Sequence, residues 1–170
     1  EVKPIHQAEW LGDYDLADYP GKVHEDGVQA IVDTIRAAPG QVALVVIGPQ
    51  TNIAAALDRD PSIAEKARVY AMAGSVRIGY EGAPKPVAEW NVLCDPKAAQ
   101  RVFEAPWEIV LDPLDICGTL RLTGEDYLRV ERSESPLAKA VVENYDRWSH
   151  RPHHPRDSSS ILFDTVAAYL

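Results

Sequence analysis

The sequence predicts an α/β protein built on a parallel sheet with helices over both faces. Two observations carry that prediction. Three short strand-like runs, at residues 42–47, 68–72 and 108–111, have the length of strands and alternate with segments of helical period. Each run is followed by a polar or glycine-bearing segment, where open α/β sheets place their ligand groups.

In chain order, residues 1–21 are aromatic, acidic and punctuated by Gly and Pro, with no sustained period, which predicts a long ordered loop. From Asp26, the spacing Val28, Ile31, Val32, Ile35 is that of an amphipathic helix, closed by Pro39-Gly40. Residues 42–47 are continuously apolar, which predicts a strand buried on both faces. A helix follows from Asn52, a strand spans 68–72, and the Gly/Pro-rich stretch 74–86 is a loop. Asp95-Pro96 starts a helix to about Phe103, and 108–111 is the third strand. Helices are predicted at 124–130, 136–148 and 160–170, the last after a polar His/Pro/Arg-rich loop.

The 170 residues amount to one domain's length, and 46% are hydrophobic, enough for a substantial core. Lys and Arg number 17 against 26 Asp and Glu, a net charge of −9 that repels nucleic acid and anionic membranes. Cys94 and Cys117 are too few and too far apart for a disulfide framework or a zinc site, so a reducing, cytoplasmic setting is expected. No apolar run nears the roughly 18 residues that cross a bilayer, and a soluble protein is expected.

Residues 48–52, GPQTN, lack the Lys and second glycine of a phosphate loop. Thr51 suits either a helix cap or a carbonyl or hydroxyl turned toward a ligand or hard cation. Glu89 and Asn91 lie two apart, on one side of an extended backbone, where carboxylate and carboxamide together suit a polyol. The alternative is a solvated loop acid beside a buried Trp90. Asp164 follows the run Ser158-Ser159-Ser160 and falls in a helix's first turn, where the dipole favours a carboxylate. His150, His153 and His154, among Arg147, Arg151 and Arg156, have spacing for a transition metal or form a protonatable surface loop.

Together these segments resemble the calcium-dependent nucleoside hydrolases of the inosine-uridine preferring type. The run VVIGPQTNIAAA at 45–56 resembles that family's LGPLTNIA, and Met72-Ala73-Gly74 resembles its MGG. AEWNV at 88–92 with DPKAA at 95–99 resembles AEFNI followed by DPEAA. Pro113-Leu114-Asp115 resembles the PLD step, FDTVAAYL at 163–170 resembles HDPLAVAYL, and HQAEWLG at 6–12 is a looser match to HGxxGLG.

The resemblance implies a doubly wound, mainly parallel fold that hydrolyses the N-glycosidic bond of a ribonucleoside to ribose and free base. It implies a calcium ion held by Asp carboxylates and a Thr carbonyl, lowering the pKa of an attacking water. On this mapping Thr51 and Asp164 serve the metal, Glu89 and Asn91 grip the ribose hydroxyls, Met72 packs near the ribose, and His6 lies near the leaving base. The family's opening DxDxxxDD cluster is not among these 170 residues. Residues 1–170 are therefore expected to be the central portion of a single such domain, incomplete at both ends, with the catalytic base unassigned.

Phe163 stands where the family has its leaving-group histidine, and Ala83 where it has a second ribose-binding Asn. Arg77, Tyr80 or Glu81 is placed to fill that space. The alternative reading is a non-catalytic nucleoside- or ribose-binding module, or an assembly module in which an unpaired strand edge forms a homo-oligomer.

Overall fold

The computed structural model describes residues 6–149 and 157–170, with side chains from residue 8 onward. The chain gathers into two compact units, one of His24–Leu120 with Ile161–Leu170 and one of Glu1–Val23 with Arg121–Ser160.

The first unit holds the sheet. Helix α1 (Gly27–Ala37) starts where the Asp26 carboxylate accepts from Gln29 N–H at 2.9 Å, and it buries Val32 and Ile35. Strands β1 (Val42–Val46), β2 (Ala67–Met72) and β3 (Glu108–Asp112) pair in parallel in the order β1-β2-β3. Helix α2 (Thr51–Arg59) joins β1 to β2, and α3 (Trp90–Cys94) and α4 (Pro96–Phe103) join β2 to β3. The short α5 (Leu114–Cys117) follows β3 at once, and α8 (Phe163–Tyr169) packs on all three strands. The expected parallel sheet flanked by helices is thus present, as one progressive run of strands.

Asp60 ties the first crossover to α1. Its carboxylate accepts from the Ser62 hydroxyl (2.7 Å), Ser62 N–H (3.0 Å) and the Arg36 guanidinium (2.7 Å). Ser62 first and Arg36 second hold it at about 2, well below the usual carboxylate range.

Two expectations need correction. Strand β1 is not buried on both faces: Ala43 and Val45 are exposed, Val45 by 47%, on the side of the sheet where Met72, further along β2, packs against Ala167 of α8. Residues 1–21 are also more ordered than a loop where described, forming 3-10 turns at His6–Leu11 and Leu16–Asp18.

The second unit is helical, with α6 (Gly124–Glu131) and α7 (Pro136–Ser149). Trp10 Nε1 donates to Glu143 at 3.2 Å, and Ser160 N–H donates to the Tyr145 hydroxyl at 2.9 Å. Neither helix holds a fully buried residue. Among the described residues no helix is long and apolar enough to cross a membrane.

Candidate functional site

The carboxyl ends of β2 and β3 lie side by side, Met72 opposite Asp112. The two chains then stay together for two residues, as Ala73 N–H donates to the Asp112 carbonyl (3.3 Å) and Leu114 N–H to the Gly74 carbonyl (3.0 Å). Gly74 turns the chain with φ +85°, a conformation that strains any residue with a Cβ. That turn presents its N–H to Glu89, whose carboxylate accepts from it at 3.0 Å.

Glu89 is the N-cap of α3. It also accepts from Asn91 N–H (2.8 Å) and Val92 N–H (3.2 Å), and is only 3% exposed. Three backbone donors occupy a group with about four lone-pair positions. Asn91 is buried too, and its Nδ2 donates to the Met72 carbonyl at 2.9 Å with the Met72 sulfur at 3.4 Å. Its carboxamide oxygen has no protein donor among the described residues.

Glu89, Asn91 and Met72 are therefore brought together, though not on an extended backbone. Glu89 is extended and Asn91 already helical. The solvated-acid alternative is reversed: Glu89 is inside and Trp90 is 65% exposed, because the Gly74 N–H draws the acid inward and the next side chain points out.

Asp164 lies in the first turn of α8, as expected, but the Ser158–160 run does not cap that helix. Its N-cap is Leu162, while the Ser159 hydroxyl accepts from Leu122 N–H. Partial burial first, and the nearby Glu89 charge second, raise the Asp164 carboxyl above its ordinary range. Thr51 does not cap α2 either. Gln50 holds the cap position and Thr51 Oγ1 donates instead to Asp95 at 2.7 Å. Asp95 caps α4, so Thr51 is tied to the segment just after Asn91. The side chain of His6 and the 150–154 loop, with His150, His153 and His154, lie outside the described residues.

Several groups here were given no role of their own from the sequence, although Gln50, Asp112 and Asp115 fall in the polar segments that follow the strands. Asp112 is 0% exposed with no hydrogen-bond partner for either carboxyl oxygen among the described residues, and burial first, then the Asp164 charge, push it upward against the opposing pull of the nearby Cys117 thiol. The Gln50 amide is likewise buried and unpartnered. The Cys117 thiol is pushed up to about 12 by burial and by Asp112, so it is no nucleophile. Asp115 accepts from Val76 N–H (2.8 Å) and Arg77 N–H (2.9 Å), and these bonds lower its carboxyl. Asp115 lies in the PLD step and Gln50 in the GPQTN segment, but neither motif announces the partners found here, since Asp115 takes its two donors from the loop after β2.

Among the space-filling candidates, Tyr80 is the one in contact with α8. Its ring meets Phe163 edge-on, centroids 6.1 Å apart at 75°, and its hydroxyl accepts from Trp90 N–H at 2.8 Å. Glu81 next to it adopts φ +57°, unusual and strained for a residue with a side chain.

The donor set does not by itself make a calcium cage. That ion takes six to eight oxygens, and among the described residues no three His, Cys, Asp or Glu side chains gather to hold a metal. Asp164 and the Thr51 carbonyl would supply two.

A family model described as inosine-uridine preferring nucleoside hydrolase matches residues 1–170. A probable uridine nucleosidase from rice is 32% identical over 82% of this chain and 43% of its own length. A pyrimidine-specific ribonucleoside hydrolase from Citrobacter koseri is 33% identical over 70% of this chain and 38% of its own. A purine-preferring ribonucleoside hydrolase from Gardnerella vaginalis superposes with TM-score 0.76 at 25% identity, over 99% of this chain and 55% of that one. A plant nucleoside hydrolase at 23% identity shares the fold with the same TM-score, over 99% of this chain and 54% of its own. The chain thus spans about two fifths of the curated relatives and about half of the solved structures.

Proposed function

Because this chain belongs to the inosine-uridine preferring nucleoside hydrolase family, we propose that its protein hydrolyses ribonucleosides to ribose and free base. In that reaction a water oxygen bonds to the anomeric carbon as the carbon–nitrogen bond breaks. The bonding pair goes to the base nitrogen, which ends protonated, while the water's remaining hydroxyl stays on the sugar.

The arrangement of Glu89, Asn91 and Met72 is the observation that carries this reading. A buried carboxylate with one acceptor position left and a buried carboxamide with a free oxygen are fixed before any ligand arrives. Such preorganised acceptors suit ribose hydroxyls and favour the flattened, electron-poor sugar of the transition state. The names of the relatives differ in base, so the substrate class proposed is ribonucleosides as a whole.

Calcium enters as a cation that Asp164 and the Thr51 carbonyl help to hold, with oxygens from beyond the described residues. The repulsion between Asp164 and Glu89 supports a cation there. Calcium titration of the 170-residue chain followed by calorimetry is expected to show no tight stoichiometric site; finding one contradicts this ligand set. The family match runs through both units, which supports reading residues 1–170 as one domain. A net charge of −9 supports leaving nucleic acid and anionic membranes out, and a cytoplasmic setting is part of the same proposal.

One observation favours a second reading. Glu89 gives three of its acceptor positions to backbone N–H groups, which fits a binding module as well as an enzyme. Release of free base from a nucleoside panel by the full-length protein, beside its Asp164→Ala variant, separates the two. Turnover abolished by the substitution supports the hydrolase. No turnover by the wild type, with ribose still bound, supports the binding module.

A further inference from the structure

We infer that the Tyr80 hydroxyl is the hydrogen-bond donor to the leaving base, a role that rests on the hydrolase reading above. Three features place it there. Its oxygen accepts from the N–H of Trp90, the residue between Glu89 and Asn91, so it lies one peptide from both groups proposed to hold the ribose. Its ring is braced edge-on by Phe163, the residue before Asp164, which ties the phenol to the helix that carries that carboxylate. Its hydroxyl hydrogen finds no acceptor among the described residues, so the Trp90 bond occupies a lone pair and leaves the donor unspent.

The 3-10 turn carrying Tyr80 is built to hold that position. Gly79 N–H donates to the Ala83 carbonyl at 2.8 Å and Ala83 N–H to the Tyr80 carbonyl at 3.1 Å, closing the turn on itself. Burial, and to a smaller extent the Glu89 charge, push the phenol above its ordinary value, so the O–H remains a donor at neutral pH. As the glycosidic bond breaks, negative charge gathers on the base, and a fixed donor aimed there strengthens as the charge develops. Tyr80 keeps its proton, and the base takes its own from water.

The test uses the full-length protein with two kinds of substrate, the nucleosides uridine and inosine, and 4-nitrophenyl β-D-riboside, whose leaving group is a stable anion needing no donor. Tyr80→Phe removes only the hydroxyl. The expected result is a fall of about tenfold to a hundredfold in kcat/KM for the nucleoside the wild type cleaves, with the nitrophenyl riboside changed by less than about threefold. An equal fall on both substrates means that Tyr80 acts through Trp90 N–H on the ribose groups, and overturns the inference, as does no fall on either. Ribose binding at wild-type strength shows that the variant is folded. A wild type that cleaves the nitrophenyl riboside but no nucleoside overturns the Tyr80 role alone, and one that cleaves neither overturns the hydrolase reading, and this inference with it.

Discussion

Asp95, tied to the end of β1 through Thr51, and Asp112, at the end of β3, live under opposite constraints. Asp95 takes the Thr51 hydroxyl at 2.7 Å and Ala98 N–H at 3.1 Å, and these two bonds hold its carboxyl low. Asp112 is buried with no donor among the described residues, and its carboxyl is pushed up. Glu89, nearly as buried as Asp112, has three donors. The two buried acids thus differ in their supply of N–H groups, and the loops after β2 spend theirs on Glu89.

Breaking the best-supplied acid has the largest effect. Glu89→Ala leaves the N–H groups of Gly74, Asn91 and Val92 without their acceptor. A buried donor so orphaned, as at Asn91, costs on the order of 1–3 kcal/mol, and the part-buried N–H groups of Gly74 and Val92 cost less. A lowered thermal midpoint is expected together with loss of any ribose binding or turnover, and Glu89→Gln, which keeps one oxygen, recovers stability better than ligand binding. Differential scanning calorimetry beside ribose titration reads both; a Glu89→Ala protein as stable as the wild type contradicts the cap.

Asp112→Asn tests the other extreme. A carboxyl raised in the folded state gives up its proton first in the unfolded chain. Stability therefore falls as pH rises from the unfolded value near 3.8 through the raised folded one. The Asn variant carries no such charge, so its midpoint is expected to exceed the wild type's at pH 7 and to lose that advantage below about pH 4. Thermal melts across that range check it, and an advantage that persists in acid excludes the charge as its cause.

Asp95→Ala is the smallest effect and has the reverse sign. A lowered carboxyl contributes stability that is complete above its unfolded value of 3.8 and disappears as pH falls through the folded one. The variant is expected to melt slightly below the wild type at neutral pH, with the gap closing in acid. A gap unchanged by pH assigns the loss to the helix cap's shape rather than its charge.

Much of the framework was legible because local rules decide it. Asp26 before Val28, Ile31, Val32 and Ile35 announces α1, and Asp95-Pro96 announces α4, each acid capping the helix it precedes. The strands were legible from apolar runs, but not the exposure of Val45, since a run cannot say which face is covered. Pairing Glu89 with Asn91 was legible by residue type. That Glu89 also holds Gly74, fifteen residues earlier, was not, because a turn's N–H carries no mark of where its acceptor will come from. The four-to-five-residue helices α3 and α5 are too short for periodicity to reveal. The helix-cap alternative for Thr51 failed for a related reason: a hydroxyl takes the nearest strong acceptor, and Asp95, distant in sequence, is 2.7 Å away.

The two bonds that Asp115 makes to consecutive amides of the loop after β2 act as a linkage. Asp115 belongs to α5, which begins two residues beyond the end of β3, so the chain around Tyr80 is geared to the seating of a neighbouring strand rather than free to swing. Slack introduced into α5 reaches the phenol without altering any group in the pocket. Mutational scans confined to the pocket's walls would overlook that lever.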